Sequence, residues 1–228
     1  EYISHAFHVA QSGRPGPVVL ALPEDMLSGV AEGIPVPAAT LPSGKAADCD
    51  LKRVVEKLAA AKRPLIIAGG ASWDAEAAEA LGLFAKQMGL PVGASFRCQD
   101  FIDNRHPNYV GDVGIGINPA LAKRVQEADV ILALGARLGE MTTSGYTLLT
   151  PPVSRQELIH IHADPSEIGR VYYPALAVVA QPGPVIKQLK DMAIAREGGT
   201  WLTDARADYE LWQEPQETPG ALKMEQVI

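Results

Sequence analysis

Asp129-Val-Ile-Leu-Ala-Leu-Gly-Ala-Arg-Leu-Gly139 decides the fold class. Its apolar residues, Val130 to Leu134, run without alternation and stop at Gly135. A strand open to water on one face alternates apolar and polar side chains. An unbroken run of this length instead suits a strand covered on both faces, as in a parallel sheet. Gly135 lets the chain turn tightly, and Arg137 follows two residues on. In parallel α/β sheets, ligands gather beyond the carboxyl ends of the strands. Two readings of the turn stand: a glycine and a cation set to meet an anionic group, or a plain strand end with Arg137 in a structural ion pair.

The pattern recurs on both sides of this stretch. Pro64-Leu-Ile-Ile-Ala-Gly69-Gly70, Leu158-Ile-His-Ile-His-Ala-Asp164-Pro165 and Leu176-Ala-Val-Val-Ala180 are further apolar runs, and the last stops at Gln181. Pro91-Val-Gly-Ala-Ser95 is a weaker run, and Tyr109-Val110 before Gly111 a shorter one. Helical patterns separate them. Leu51, Val54, Val55 and Leu58 recur at i, i+3, i+4, i+7, with Asp48 or Asp50 as the expected N-cap. Asp74 caps a second helix whose stripe is Ala77, Leu81, Phe84, Ala85 and Met88, with Gly89 suited to its end. Asn118-Pro119 opens a third before Leu121, Ala122 and Val125. Pro182 and Pro184 open a fourth, with Val185, Ile186, Leu189 and Met192 as its apolar face. Strands alternating with helices predict right-handed βαβ units. The expected fold is a doubly wound, Rossmann-like α/β domain over residues 45–195, with a mainly parallel sheet of six strands. Each apolar stripe is read as core.

Composition narrows the function. The chain has 228 residues, 47% of them hydrophobic, enough for a full core. Its net charge of −7 and the lack of any long Lys/Arg cluster argue against nucleic acid as a partner. No apolar stretch approaches the roughly 20 residues that span a membrane. No secretory signal pattern is present, and Cys49 and Cys98 lack framework or metal spacing, so a reducing cytoplasm is the expected location.

The ends read as cut ends. Tyr2 to Ala10 looks like the back half of a helix, broken by Gly13-Arg-Pro-Gly-Pro17, and Val18-Val-Leu-Ala-Leu22 like a short buried strand. Residues 1–28 are therefore expected to close a preceding domain, and 29–47, rich in Pro, Gly and Ala, to form a linker. The central domain is expected at 48–196. Residues 197–220 should hold a helix with Trp201, Ala205, Tyr209 and Trp212 on one side, then a linker. Residues 221–228 read as the start of a further domain.

Several of these pieces together resemble thiamine-diphosphate (ThDP) enzymes of the acetolactate synthase-like family. Ser12-Gly-Arg-Pro-Gly-Pro17 through Pro23-Glu-Asp25 resembles the end of their pyrimidine-binding domain. Lys62 to Met192 resembles their central domain. There the matching pieces are Arg63-Pro64 before Gly69-Gly70, Asn104-Arg-His-Pro107 before Gly111 and Gly114, Ala128-Asp129 before Gly135-Ala-Arg137, and His160 before Asp164-Pro-Ser-Glu-Ile-Gly169.

The resemblance implies a three-domain enzyme, a homodimer or homotetramer, in which ThDP and Mg²⁺ lie between the first and third domains. The glutamate that activates the cofactor and the Gly-Asp-Gly…Asn motif that holds the metal do not occur here; Gly111-Asp112-Val113 does not fit that motif. The chain alone is thus expected to be catalytically silent, with no catalytic and no metal-binding residue of its own. The family's central domain holds FAD in some members and ADP in others. Carried over by position, the candidate cofactor-binding residues are Gly69, Gly70, Ser95, Phe96, Gly111, Gly135, Ala136 and Arg137. The family often has Asp-x-Asp-Pro where this chain has His162-Ala-Asp-Pro165, and Ala-Asp where it has Ala180-Gln181. Those aspartates lie near the adenosine half of the ligand in flavin-binding members, so their replacement disfavours FAD.

Read from the residues alone, His160 and His162 share one face of a strand. They are read as a buried or hydrogen-bonded pair, since no third zinc ligand is visible. The function that results is the central part of a ThDP-dependent 2-oxo acid carboligase or decarboxylase (a transferase or lyase), with a structural or vestigial nucleotide-binding role. A stand-alone FAD- or NAD-binding module of related fold is the alternative.

Overall fold

A computed structural model describes residues 1–34, 36–38, 44–196, 199–215 and 220. Six strands form one sheet: β1 (Pro64–Ala68), β2 (Val92–Ser95), β3 (Tyr109–Val113), β4 (Val130–Leu134), β5 (Glu157–His162) and β6 (Leu176–Val179). Their order is β3-β2-β1-β4-β5-β6, and every pairing is parallel. The order reverses direction between β1 and β4, whose residues pair from Pro64↔Val130 to Ala68↔Leu134. At such a switch point the flanking connections leave to opposite faces, which opens a crevice at the carboxyl ends of the two strands.

Both faces of the sheet are covered. Along β1, Ile66 and Ala68 belong to one core cluster, and Leu65 and Ile67 to another. The first cluster lies under α3 (Asp48–Ala60), α4 (Ala75–Met88) and α6 (Pro182–Met192), which bring Leu51, Phe84 and Ile186 among others. The second lies under α5 (Pro119–Glu127) and α7 (Trp201–Gln213), which bring Leu121, Val125 and Ala205. Successive side chains on a strand point to opposite faces, so the unbroken apolar runs feed both layers. Each fully buried Leu, Ile or Phe contributes about 1.5–3 kcal/mol relative to exposure.

The helix starts follow local chemistry. Asp74 accepts from Ala77 N at 2.8 Å, and Gly89 closes α4 with φ +60°. Asn118 accepts from Ala120 N at 2.9 Å, with Pro119 at the first helical position. The cap of α3 lies one residue before the nearer of the two expected, Asp48. Ala47 occupies the cap without a side-chain bond, and Asp48 and Asp50 sit in the first turn, where they face the positive end of the helix.

Two more expectations need correction. Val18–Leu22 forms no strand, and Val19 is 90% exposed. A strand needs a neighbour for its N–H and C=O groups, and none of the described residues pairs with it. It follows α1 (Tyr2–Gln11) and precedes α2 (Glu24–Ser28), neither of which buries a residue. Trp212 is exposed, whereas Trp201 and Ala205 of the same helix are buried and Tyr209 is partly so. The helix leaves the domain surface in its last turn. The expected domain start at 221–228 lies outside the described residues.

The stretch from Ala193 onward is fastened by side chains that donate to backbone carbonyls at helix ends and strand starts. Arg196 donates to Met88 O, Gly89 O and Ala61 O at 3.0–3.2 Å. Arg206 does the same for Asn104, His106 and Tyr109 at 2.9–3.1 Å. Trp201 Nε1 donates to Pro64 O at 2.8 Å, at the start of β1.

Candidate functional site

At the switch point, the turns after β1 and β4 press against each other. An antiparallel bridge joins Ala68 and Gly135. A Cβ on Gly70 would come 2.1 Å from Gly135 O, and one on Gly135 would come 2.4 Å from Gly69 O and 2.6 Å from Pro182 Cγ. Gly70 and Gly135 also have φ of +84° and +72°, in the left-handed region. A Cβ on Gly69 would meet Ser95 Oγ at 2.2 Å. These glycines are thus required by the meeting of the turns themselves.

Above them lies a cleft of about 570 Å³. Of the residues expected to bind a cofactor, Gly70, Ser95, Phe96, Gly135 and Arg137 line it. Gly69 and Ala136 are buried; Ala136 offers its carbonyl to His160 Nε2 at 3.1 Å. Gly111 is elsewhere. It sits in β3 with φ +112°, and a Cβ there would lie 3.3 Å from the Tyr209 ring of α7. Its missing side chain makes room for that helix. The cleft also takes Arg14, Thr142, Tyr146 and His162, which were not among the expected site residues.

Glu167 organises the electrostatics of the cleft wall. Its carboxylate is 6% exposed and is bonded by three guanidinium groups: Arg137 at 2.9 Å, Arg14 at 3.1 Å and Arg170 at 3.2 Å. Burial alone would raise its pKa. The Arg137 hydrogen bond and the charges of Arg137, Arg170 and Arg14 outweigh that and hold it below the usual carboxylate value. Arg137 therefore adopts the structural ion pair allowed for it, while still facing the cleft. In the sequence Glu167 stood out only as part of the Asp164-Pro-Ser-Glu-Ile-Gly169 stretch, with no site role assigned to it.

The histidine pair is buried, with ring centroids 5.9 Å apart. Because a carbonyl only accepts, His160 carries its proton on Nε2 and donates it to Ala136 O. Burial is the main cause that lowers its pKa to about 4, so it is neutral at pH 7. His162 turns Nδ1 back onto the strand end, 3.0 Å from Asp164 N. Asp164 Oδ1 accepts from Ser166 N at 2.9 Å and shapes the turn after β5. Asp112 accepts from the Tyr109 hydroxyl at 3.0 Å.

The fit to a nucleotide can be tested on this geometry. The cleft has the volume and two cations, Arg14 and Arg137. A Rossmann-type diphosphate also needs a free helix N-terminus. That of α4 is taken by Asp74, whose other oxygen is bonded by Lys187 at 2.9 Å. Among the described residues, no buried side-chain polar atom of this cleft lacks a partner. Arg14 and Arg137 bring two cations to the cleft, and the N-terminus of α6, whose Pro182 lines it, has no side-chain cap.

The family profile described as thiamine pyrophosphate enzyme, central domain, matches residues 51–189. The chain belongs to this family. The match spans the sheet and its helices from α3 to α6, so the crevice just described is that of a thiamine pyrophosphate enzyme central domain. Among similar proteins, a probable acetolactate synthase large subunit of Methanocaldococcus jannaschii is 31% identical over 86% of this chain and 34% of its own. The acetolactate synthase of Mycobacterium bovis is 29% identical over 99% of this chain and 38% of its own. Glyoxylate carboligase of Escherichia coli O157:H7 is 31% identical over 84% of this chain and 32% of its own. The chain spans about a third of the length of these relatives.

Proposed function

We propose that this chain works as the central part of a longer ThDP-dependent enzyme, a carboligase or decarboxylase of 2-oxo acids, and that it is silent on its own. In such an enzyme ThDP supplies the carbanion that attacks the ketone and the ring that takes up its electrons. The residues of this chain would space and orient the parts that hold the cofactor with Mg²⁺. The crevice at β1 and β4 is read as a vestigial nucleotide site. The observation that carries this is the contact of the turns: Gly69, Gly70 and Gly135 are each explained by neighbouring protein atoms, not by a ligand. The capped α4 and the Glu167-bound arginines support it. The likeness to acetolactate synthases and glyoxylate carboligase favours this reading over a stand-alone FAD- or NAD-binding module.

Isothermal titration tests both halves. ThDP with Mg²⁺ should give no measurable heat of binding, and FAD and ADP no micromolar affinity. Micromolar ThDP binding would overturn the silent-part reading. Micromolar FAD or ADP binding that is lost in Arg137→Ala would replace the vestigial site with a working one.

A further inference from the structure

β2 ends in a four-residue turn, Ser95-Phe96-Arg97-Cys98, closed by Cys98 N donating to Ser95 O at 2.9 Å. Arg97 has φ +63° and Phe96 lies outside the left-handed region, which makes the turn type II. The third place of such a turn suits Gly or Asn, because a side chain there crowds the backbone. This chain puts an arginine in it. A structural bond from the side chain would offset that cost. Among the described residues, however, the Arg97 guanidinium makes no hydrogen bond and no ion pair. It lies 5.1 Å from the centre of the Phe96 ring, a stacking contact that leaves the N–H groups at its edge available. Phe96 and Cys98, on either side, line the large cleft, and Arg97 itself does not. The exposed guanidinium therefore stands at the rim, at the carboxyl end of the sheet, where doubly wound domains meet their ligands.

We propose that Arg97 binds the carboxylate of the substrate in the longer enzyme and so selects for 2-oxo acids. The proposal rests on the carboligase or decarboxylase reading above. Arg14, Arg137 and Arg170 already face the carboxylate of Glu167, whereas Arg97 faces none among the described residues. A guanidinium offers a carboxylate two parallel N–H groups, which a lysine cannot. The Phe96 ring beneath it covers one face of the fork and limits its orientations. A bulky residue held in a left-handed turn, with no structural bond in return, marks a position kept for function. This role is separate from the nucleotide question, because Arg97 lies outside the lining of the large cleft.

The test has two parts. In the 228-residue chain, Arg97→Gly should leave the urea midpoint at or above that of the parent, since glycine suits the turn. In the longer enzyme, pyruvate, glyoxylate and benzoylformate serve as probes. For the probe turned over best, Arg97→Met should raise KM roughly tenfold, the value of a hydrogen bond to a charged group. kcat should fall much less, as expected when a binding contact is removed. Arg97→Lys should recover part of the loss, because it restores the charge but not the fork. An unchanged KM in Arg97→Met would overturn the proposal. So would a clearly lower midpoint in Arg97→Gly, which would make the arginine part of the scaffold. Turnover of none of the three probes by the parent enzyme would overturn the 2-oxo acid reading itself, and the proposal with it.

Discussion

His160 shows how one buried side chain sets a pH limit on the fold. Its ring is enclosed by β4, β5 and the Glu167 wall, and burial lowers its pKa to about 4 from an ordinary value of 6.5. Between these values the unfolded chain binds a proton that the folded chain refuses. Its contribution is therefore fully present above pH 6.5 and is lost as pH falls toward 4, up to about 3 kcal/mol. His106, also held below its ordinary value mainly by burial, acts with the same sign. Urea midpoints should fall between pH 6.5 and pH 4.5. His160→Gln, which keeps a donor for Ala136 O, should flatten that slope. An equal slope in the variant would remove His160 as its source.

At the scale of elements, strength lies in arginines that cap carbonyls. Arg206 gathers the carbonyls of Asn104, His106 and Tyr109, where the chain enters β3, and so holds α7 to the sheet. Arg206→Met keeps much of the stem but strands these acceptors, and should cost about 2 kcal/mol in urea unfolding. Amide exchange in α7 should rise ahead of the rest. A loss below about 0.5 kcal/mol would mean that water replaces the guanidinium without penalty.

The strands differ in how plainly they could be read. β1 and β4 were legible because both their faces are buried and their runs are apolar throughout; β5 is buried too but carries His160 and His162 within its run. β3 was legible only as Tyr109-Val110. Its register slips by one residue against β2, and Gly111 and Asp112 interrupt the apolar run. Asp112 is tolerated because it accepts from Tyr109, and Gly111 is needed under Tyr209, a partner far away in sequence. Val18–Leu22 was read as a strand of a preceding domain; its composition suits a strand, but pairing is a property of neighbours, and among the described residues it has none. At the site, the strand-end glycines and Arg137 could be placed from sequence. The pairing of Glu167 with Arg14 could not, because the two stand 153 positions apart in sequence.

For the whole molecule, the first 28 residues and the domain are unequal partners. α1 and α2 bury nothing, and among the described residues Arg14–Glu167 is the ion pair that ties this segment to the sheet. Arg14 is about half exposed, so the tie is weak. Chymotrypsin should cut after Phe7 and Leu20 long before any site in β1 or β4. Arg14→Ala should speed the first cut by up to about fivefold, the ceiling for such a pair. Resistance of this segment equal to that of the sheet would contradict the picture.

The contact of Gly70 with Gly135 has one more consequence. In many doubly wound proteins the crevice walls belong to turns that can shift apart, so a guest can reshape its own berth. Here the two turns are bolted backbone to backbone at the root of the crevice, with Pro182 wedged behind them. Opening the gap at its root would first have to part this contact. A guest that needed a wider berth would have to part the two halves of the sheet at this joint, where backbone meets backbone.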